Sequence, residues 1–145
     1  MTEFWVLAAD ASHARLFHRE KKFSPLVEVQ DWLHAESRMP GRDLENDRQG
    51  KTFSSFGYNQ SDNQKATDPK KREAQDFARE LGDFLDAARA RGEFTSLSVV
   101  ADPSFLGFLR DTVKESTLRR IERAVPKNMT RHSAEDIARA LDNVS

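Results

Sequence analysis

Residues 68–103 read DPKKREAQDFARELGDFLDAARARGEFTSLSVVADP and carry the clearest signals for helices and strands in this chain. The stretch begins with Asp68-Pro69, which predicts a helix start. An aspartate at the N-cap accepts backbone N–H groups, and a proline loses no hydrogen bond at the first helical position. Apolar residues then recur at spacings of three and four until Gly92 provides a stop, and this single stripe predicts an amphipathic helix packed against a sheet. The stripe consists of Ala74, Phe77, Ala78, Leu81, Phe84, Leu85 and Ala88.

The elements after this helix follow from local signals. Leu97–Ala101 is a short apolar run that predicts a strand, and Asp102-Pro103 repeats the capping pattern at the start of a second helix. Residues 120–125 alternate in polarity and end at a proline, which predicts an edge strand. Ser133 predicts the N-cap of a last helix. A strand, a helix, a strand and a helix in this order predict parallel crossovers.

Three strands are predicted before the long helix. Phe4–Ala9 is a continuous apolar run, typical of a central strand covered on both faces. Ala14–Arg19 alternates, Leu26–His34 gives a third strand, and the short turns between them favour an antiparallel meander. The whole pattern predicts an α/β fold with a mixed five-stranded sheet: three antiparallel strands, then β-α-β-α crossovers with helices on the faces of the sheet. This is the ribonuclease H-like arrangement.

Composition is typical of one domain spanning residues 1–145. Of the 145 residues, 37% are hydrophobic and 32% are charged, and the formal net charge is −1. A nearly neutral molecule binds anions only through a local patch. The absence of cysteine excludes disulfides and thiol catalysis and suits a reducing cytoplasm. Without a cationic leader or an apolar run of membrane length, we expect a cytoplasmic protein with no membrane partner.

Residues 38–66 read RMPGRDLENDRQGKTFSSFGYNQSDNQKA and show no hydrophobic periodicity. Connections longer than about 12–15 residues without structure of their own are uncommon inside compact domains and are usually functional or disordered. We therefore predict a long mobile loop at about 38–67, directly before the longest helix. Isolated apolar residues such as Phe23 and Phe94 are interpreted as scattered surface residues, which leaves the oligomeric state open.

The loop and the first helical turn combine cations with aromatic residues. Cations neutralise phosphates and aromatic rings stack on unpaired bases, so this mixture predicts an RNA-binding segment. Acidic residues dilute the patch, and the composition is also typical of a solvated surface. The candidate RNA-binding residues are Arg42, Arg48, Lys51, Phe53, Phe56, Tyr58, Gln60, Lys65, Lys70, Lys71 and Arg72. The last three are the preferred contact site, because an anionic partner would offset their repulsion from the positive end of the helix.

Carboxylates support an alternative enzymatic interpretation. If the first and fourth strands are parallel neighbours, Asp10 and Asp102 lie together at their carboxyl ends, where open α/β sheets place ligands. Glu73 or Asp76 on the long helix would add a third oxygen ligand, as in nucleases that hold two divalent metals. The simpler interpretation is that Asp102 is an N-cap and Asp10 is a turn residue.

Four stretches carry a resemblance to a known family. They are WVLAADASHARLF at residues 5–17, SRMPGRDLENDRQGKTFSS at 37–55, DPKKREAQDFARELGDFL at 68–85 and VVADPSFLGFLR at 99–110. Over nearly its whole length the chain resembles the bacterial host-attachment protein family. That family is similar to the central domain of archaeal and eukaryotic class I peptide release factors and Pelota, a ribonuclease H-like domain whose loop before a long helix carries Gly-Gly-Gln.

The resemblance implies a binding role for the loop without peptidyl-tRNA hydrolysis. The loop offers Gln49-Gly50, Gly57 and Asn59-Gln60, but no Gly-Gly-Gln. We therefore expect a non-catalytic binding module without a cofactor, whose partner is RNA or the ribosome. The alternatives are a metal-dependent nuclease and a factor needed, directly or indirectly, for attachment to host cells.

Overall fold

A computed structural model describes residues 4–34 and 68–143. The strands are β1 (Phe4–Ala9), β2 (His13–Arg19), β3 (Val27–Leu33), β4 (Ser96–Ala101) and β5 (Ile121–Val125). The helices are α1 (Pro69–Ala90), α2 (Pro103–Thr112), α3 (Glu115–Leu118) and α4 (Ala134–Asp142). The whole of the loop predicted at about 38–67 lies outside the described residues.

All five strands form one mixed sheet in the order β3-β2-β1-β4-β5. β1 pairs with β2, and β2 with β3, in antiparallel orientation. β4 is parallel to β1 on its other side, and β5 is parallel to β4 at the edge. The prediction of three antiparallel strands followed by parallel crossovers is therefore confirmed, as is the ribonuclease H-like arrangement.

The central strand β1 is covered on both faces, as its continuous apolar sequence predicts. Leu7 and Ala9 pack in the core cluster that contains the long helix α1, whereas Val6 and Ala8 pack in a second cluster with α4. Side chains of a strand alternate between the two faces of a sheet, so a strand apolar on both faces must be buried on both. The two layers of helices place the sheet in the middle of the molecule.

Helix α1 begins where the sequence predicts. The Asp68 side chain accepts hydrogen bonds from the backbone N–H groups of Lys70 and Lys71, and Pro69 is the first helical residue. After the C-cap residue Arg91, Gly92 takes a positive φ of 75°, which a glycine adopts without steric cost. The buried residues of α1 are Ala74, Phe77, Ala78, Leu81, Gly82, Leu85 and Ala88. They include six of the seven residues of the predicted stripe, and the seventh, Phe84, is half-buried against the same core cluster.

Two features differ from the sequence-based expectations. Phe94 is buried, not exposed, because its ring packs 4.8 Å from the ring of Trp5. The one-turn helix α3 was not predicted, since four residues are too short to show a periodicity. It is held against α1 by Thr117, whose hydroxyl donates to Asp86 and accepts from Arg89.

Candidate functional site at the carboxyl edge of the sheet

The first turn of α1 stands at the edge of the sheet where β1, β4 and β5 end, here called the carboxyl edge. Phe77, in the first half of α1, lies against the ring of Phe105 at the start of α2, which directly follows β4. Phe77 also stacks on His34, which directly follows β3 and donates its backbone N–H to Ser12 O in the turn after β1. These contacts fix the direction of α1: its N-terminus lies at the carboxyl edge.

Helix α1 is longer than the sheet that it covers. Its 22 residues span about 33 Å, whereas a six-residue strand spans about 20 Å. The first buried residue of α1 is Ala74, and residues 68–72 are exposed. The first turn therefore projects beyond the core into solvent.

Three cations, here called the helix-start cations, occupy this projecting turn. Lys70, Lys71 and Arg72 are all exposed, and within residues 4–34 and 68–143 none of them forms an ion pair. The first turn contains no acidic residue, and the nearest carboxylates along the chain are the Asp68 cap before it and Glu73 after it. Because unsatisfied N–H groups give a helix N-terminus a partial positive charge, the three cations add to a field that attracts anions.

The structure brings together these three of the eleven candidate RNA-binding residues. The other eight lie outside the described residues: Arg42, Arg48, Lys51, Phe53, Phe56, Tyr58, Gln60 and Lys65.

Asp10 occupies the centre of the carboxyl edge and ties two distant parts of the chain together. Its Oδ1 accepts the backbone N–H groups of Ser12 (2.9 Å) and His13 (2.8 Å). Its Oδ2 accepts the side-chain amide of Asn128 (2.9 Å) and the hydroxyl of Thr130 (3.2 Å). Burial alone would raise the pKa of Asp10, but these four hydrogen bonds outweigh burial and lower its pKa below the ordinary value.

The segment after β5, residues 126–132, is fastened to the sheet by Asp10 and by a second side chain. We call it the clasped segment. The Arg15 guanidinium on β2 donates to the backbone oxygens of Thr130 (3.0 Å) and His132 (2.7 Å). Its other nitrogens form a bidentate pair with Glu28 on β3, at 3.2 and 2.9 Å. A planar guanidinium suits such a role, because its donors point in fixed directions.

Sequence reasoning missed this arrangement. Asp10 was interpreted only as a turn residue or a metal ligand, and the turn interpretation is correct as far as Ser12 and His13 are concerned. Its other two partners lie 118 and 120 residues further along the chain. No local pattern connects positions so far apart, so a sequence signal for the clasp does not exist in this chain alone.

The alternative interpretation as a metal-dependent nuclease requires Asp10 and Asp102 to lie close together, and the structure places them so. β1 and β4 are parallel neighbours, and the Asp102 backbone N–H donates to Ala9 O, so Asp10 and Asp102 are side by side. The Asp102 carboxylate, however, accepts the Phe105 N–H as the N-cap of α2, and both oxygens of Asp10 are engaged by protein donors. These hydrogen bonds match the simpler interpretation, in which Asp102 is an N-cap and Asp10 is a turn residue.

The proposed third ligands give no further support. Asp76 is exposed on α1 and forms an ion pair with Arg79, at 2.9 Å. Glu73 is half-buried near the start of α1 and has a polar or charged partner of its own. Across the described ranges, no group of three or more histidine, aspartate or glutamate residues is arranged to hold a metal ion.

Comparisons with known proteins match this chain to a family and to solved structures. A family model described as "Protein required for attachment to host cells" matches residues 5–141. Among curated proteins, no sequence match is found. Within residues 4–34 and 68–143, no helix has both the length and the apolar character needed to cross a membrane.

Solved structures similar to this chain include Ppx/GppA proteins of Aquifex aeolicus. The type II variant of its Ppx/GppA phosphatase is 10% identical with a TM-score of 0.37, over 86% of this chain and 36% of the phosphatase chain. A second structure, of the PPX-GPPA enzyme of the same organism, is 12% identical with a TM-score of 0.36 over the same shares. The chain thus spans little more than a third of the length of these structures.

Proposed function

The chain belongs to the family of proteins required for attachment to host cells, and we propose that it acts as a non-catalytic module that binds RNA, on or near the ribosome, in the cytoplasm. The observation that carries this proposal is the projecting first turn of α1, where Lys70, Lys71 and Arg72 are exposed at the positive end of a long helix. A helix N-terminus with added cations favours phosphate groups.

The position of the turn supports the same proposal. Open α/β sheets place their ligands outside the carboxyl ends of the strands, and the helix-start cations stand at this edge. Their mutual repulsion and their repulsion from the helix dipole cost about a few tenths of a kcal/mol each. A polyanionic ligand relieves this repulsion, and the relief adds to the free energy of binding.

The choice of RNA among anions rests on the resemblance to release-factor central domains. In those domains a loop directly before the long helix enters the ribosome, and in this chain the segment predicted as the corresponding loop directly precedes α1 in sequence. The missing Gly-Gly-Gln and the engaged carboxylates of Asp10 and Asp102 both favour binding over bond cleavage.

Attachment to host cells is proposed to depend on this protein indirectly. A protein that binds RNA inside the cell affects attachment through the synthesis of other, surface-exposed proteins. Fractionation of native cells tests this point: the protein should be recovered with the cytoplasmic fraction. Its recovery on the outer surface of intact cells would instead support a direct adhesive role and contradict the proposal.

A pull-down at two salt concentrations tests RNA binding itself. Tagged protein is recovered from lysate, and the enrichment of ribosomal RNA is compared between the wild type and a Lys70→Ala, Lys71→Ala, Arg72→Ala triple variant. Each lost phosphate contact reduces the magnitude of the slope of log affinity against log salt concentration by about 0.7–0.9. The slope of the triple variant should therefore be smaller in magnitude by about two to three.

The matched control removes three cations from the opposite edge of the sheet. Lys114, Arg119 and Arg120 are exposed around α3, next to the start of β5, and their replacement by alanine causes the same change in net charge. The control should retain the enrichment and its salt dependence. Equal losses in both variants would show a nonspecific charge effect, and unchanged enrichment in the helix-start variant would refute the proposed contact site.

A further inference from the structure

The clasped segment, residues 126–132, presents cations of its own at the carboxyl edge. Lys127 and Arg131 are exposed, and in the part of the chain that the structure describes neither takes part in an ion pair. Between them Thr130 is only 3% exposed, because its hydroxyl faces Asp10 and Asn128. The Thr130 side chain therefore faces the protein interior, whereas Lys127 and Arg131 face solvent.

The anchoring restricts the segment although it belongs to no helix or strand. Asp10 binds the side chains of Asn128 and Thr130, and Arg15 binds the backbone oxygens of Thr130 and His132. Inside the segment, Asn128 Oδ1 also accepts the Thr130 N–H at 3.2 Å. A side chain carried on a restrained backbone loses less conformational entropy when it binds, so such cations bind phosphates better than cations on a free loop.

The clasped segment and the helix-start cations flank the same edge from opposite faces of the sheet. Helix α1 packs in the cluster of Leu7 and Ala9, whereas the clasped segment leads into α4, which packs in the cluster of Val6 and Ala8. The two groups of cations are therefore separated by the thickness of the sheet and the adjoining layer, on the order of 10–20 Å. Several phosphates of one nucleic-acid strand fit within such a distance.

Nearby carboxylates oppose these charges only in part. Asp136 in the first turn of α4 is paired with Arg139 and lies 3.8 Å from His132, whereas Asp10 keeps its negative charge because its hydrogen-bond donors are neutral groups. Glu135 is exposed in the same turn and remains the nearest opposing charge along the chain.

We infer that the clasped segment is a second RNA-contacting element, in which Lys127 and Arg131 bind phosphates of the same RNA that the helix-start cations bind. This inference rests on the proposed RNA-binding function. It adds that the ligand crosses the carboxyl edge from one face of the sheet to the other, held by cations from two separate parts of the chain.

The test measures binding of the purified full-length protein to purified ribosomal RNA as a function of salt. In a Lys127→Ala, Arg131→Ala variant, the magnitude of the slope of log affinity against log salt concentration should fall by about 1.4–1.8. This corresponds to a loss of affinity of roughly 25-fold or more near 0.1 M salt. An Arg119→Ala, Arg120→Ala variant has the same net charge and should bind as the wild type does.

The outcomes separate this inference from the proposed function. If the wild type binds no ribosomal RNA, both are refuted. If the helix-start variant loses affinity while the Lys127→Ala, Arg131→Ala variant binds as the wild type does, only the inference is refuted. If both lose affinity while their thermal unfolding and that of the control stay unchanged, the inference is supported. Charge-preserving replacement by Lys127→Arg and Arg131→Lys should retain binding, and a loss there would contradict a role based on charge.

Discussion

Replacing Asp10 by asparagine should destabilise the protein by about 2 kcal/mol. The amide keeps an oxygen for the backbone N–H groups of Ser12 and His13 but directs its N–H₂ at the Asn128 amide, which is itself a donor there. The Thr130 hydroxyl can accept from the new amide, because its own proton can bond to Asn128 Oδ1 at 2.9 Å. One hydrogen bond to a charged group is lost, worth about 1.5 kcal/mol, and the other three become neutral bonds that are weaker by about 0.5 kcal/mol each. Because Asp10 is only about half buried, solvent reduces their sum of about 3 kcal/mol to about 2 kcal/mol.

Urea denaturation followed by tryptophan fluorescence measures this change, since Trp5 and Trp32 pack against the α1 cluster. The direction of the Asp10 pKa shift determines how this stability difference depends on pH. Folding lowers the pKa of Asp10, so its stabilisation is complete above the unfolded pKa of about 3.9 and is lost as pH falls through the lower folded value. The difference between the wild type and Asp10→Asn should therefore be constant near neutrality and shrink below about pH 4.

Asp31→Asn is the matched control. Asp31 is also an aspartate near the carboxyl edge, but its partner is the single His13 ring at 3.1 Å, and half of its side chain is exposed. An exposed pair of this kind contributes about 0–1 kcal/mol. A cost for Asp10→Asn no larger than that of Asp31→Asn, or hydrogen exchange in residues 127–132 as slow as in the wild type, would refute the clasp as described.

Three further predictions test the packing, the turns and the caps. Phe23 is 66% exposed and has a positive φ of 71° in the turn before β3, so Phe23→Gly should be more stable than Phe23→Ala by about 1 kcal/mol in urea denaturation; equal stabilities would contradict the strain. A Cβ at Gly82 would meet Thr112 Cγ2 at 2.4 Å, so Gly82→Ala should lower the unfolding free energy by about 1 kcal/mol after its gain in helix propensity. Thr112→Ser removes the clashing methyl group and should restore stability in a double-mutant cycle, whereas purely additive effects would contradict the clash. Ser133 caps α4 by accepting the Asp136 N–H at 3.0 Å, so Ser133→Ala should cost about 1 kcal/mol, and a melting temperature equal to that of the wild type would argue against the cap.

The fold was predictable because its signals are local. Asp68-Pro69, Asp102-Pro103 and Ser133 mark the starts of the three longer helices, and each acts on backbone groups two or three residues away. The apolar run of β1 and the spacing of the α1 stripe report burial directly. Phe94 was mispredicted for the complementary reason: it is a single apolar residue in a polar turn, and only the distant ring of Trp5 explains its burial.

The candidate site was only half predictable. The helix-start cations are recognisable because three charges are adjacent in sequence and directly follow a capping pattern. Lys127 and Arg131 carry no such signal, since their position depends on bonds from Asp10 and Arg15, more than 110 residues earlier. A single sequence contains the residues of a long-range clasp but not their pairing.

Ultraviolet cross-linking of the protein to RNA in living cells, followed by mass spectrometry of the cross-linked peptides, shows where RNA lies on the protein. RNA bound at the carboxyl edge should cross-link to peptides that contain the start of α1 and residues 126–132. Absence of RNA from the purified protein, or cross-links confined to the opposite edge around α3, would refute RNA binding at the carboxyl edge.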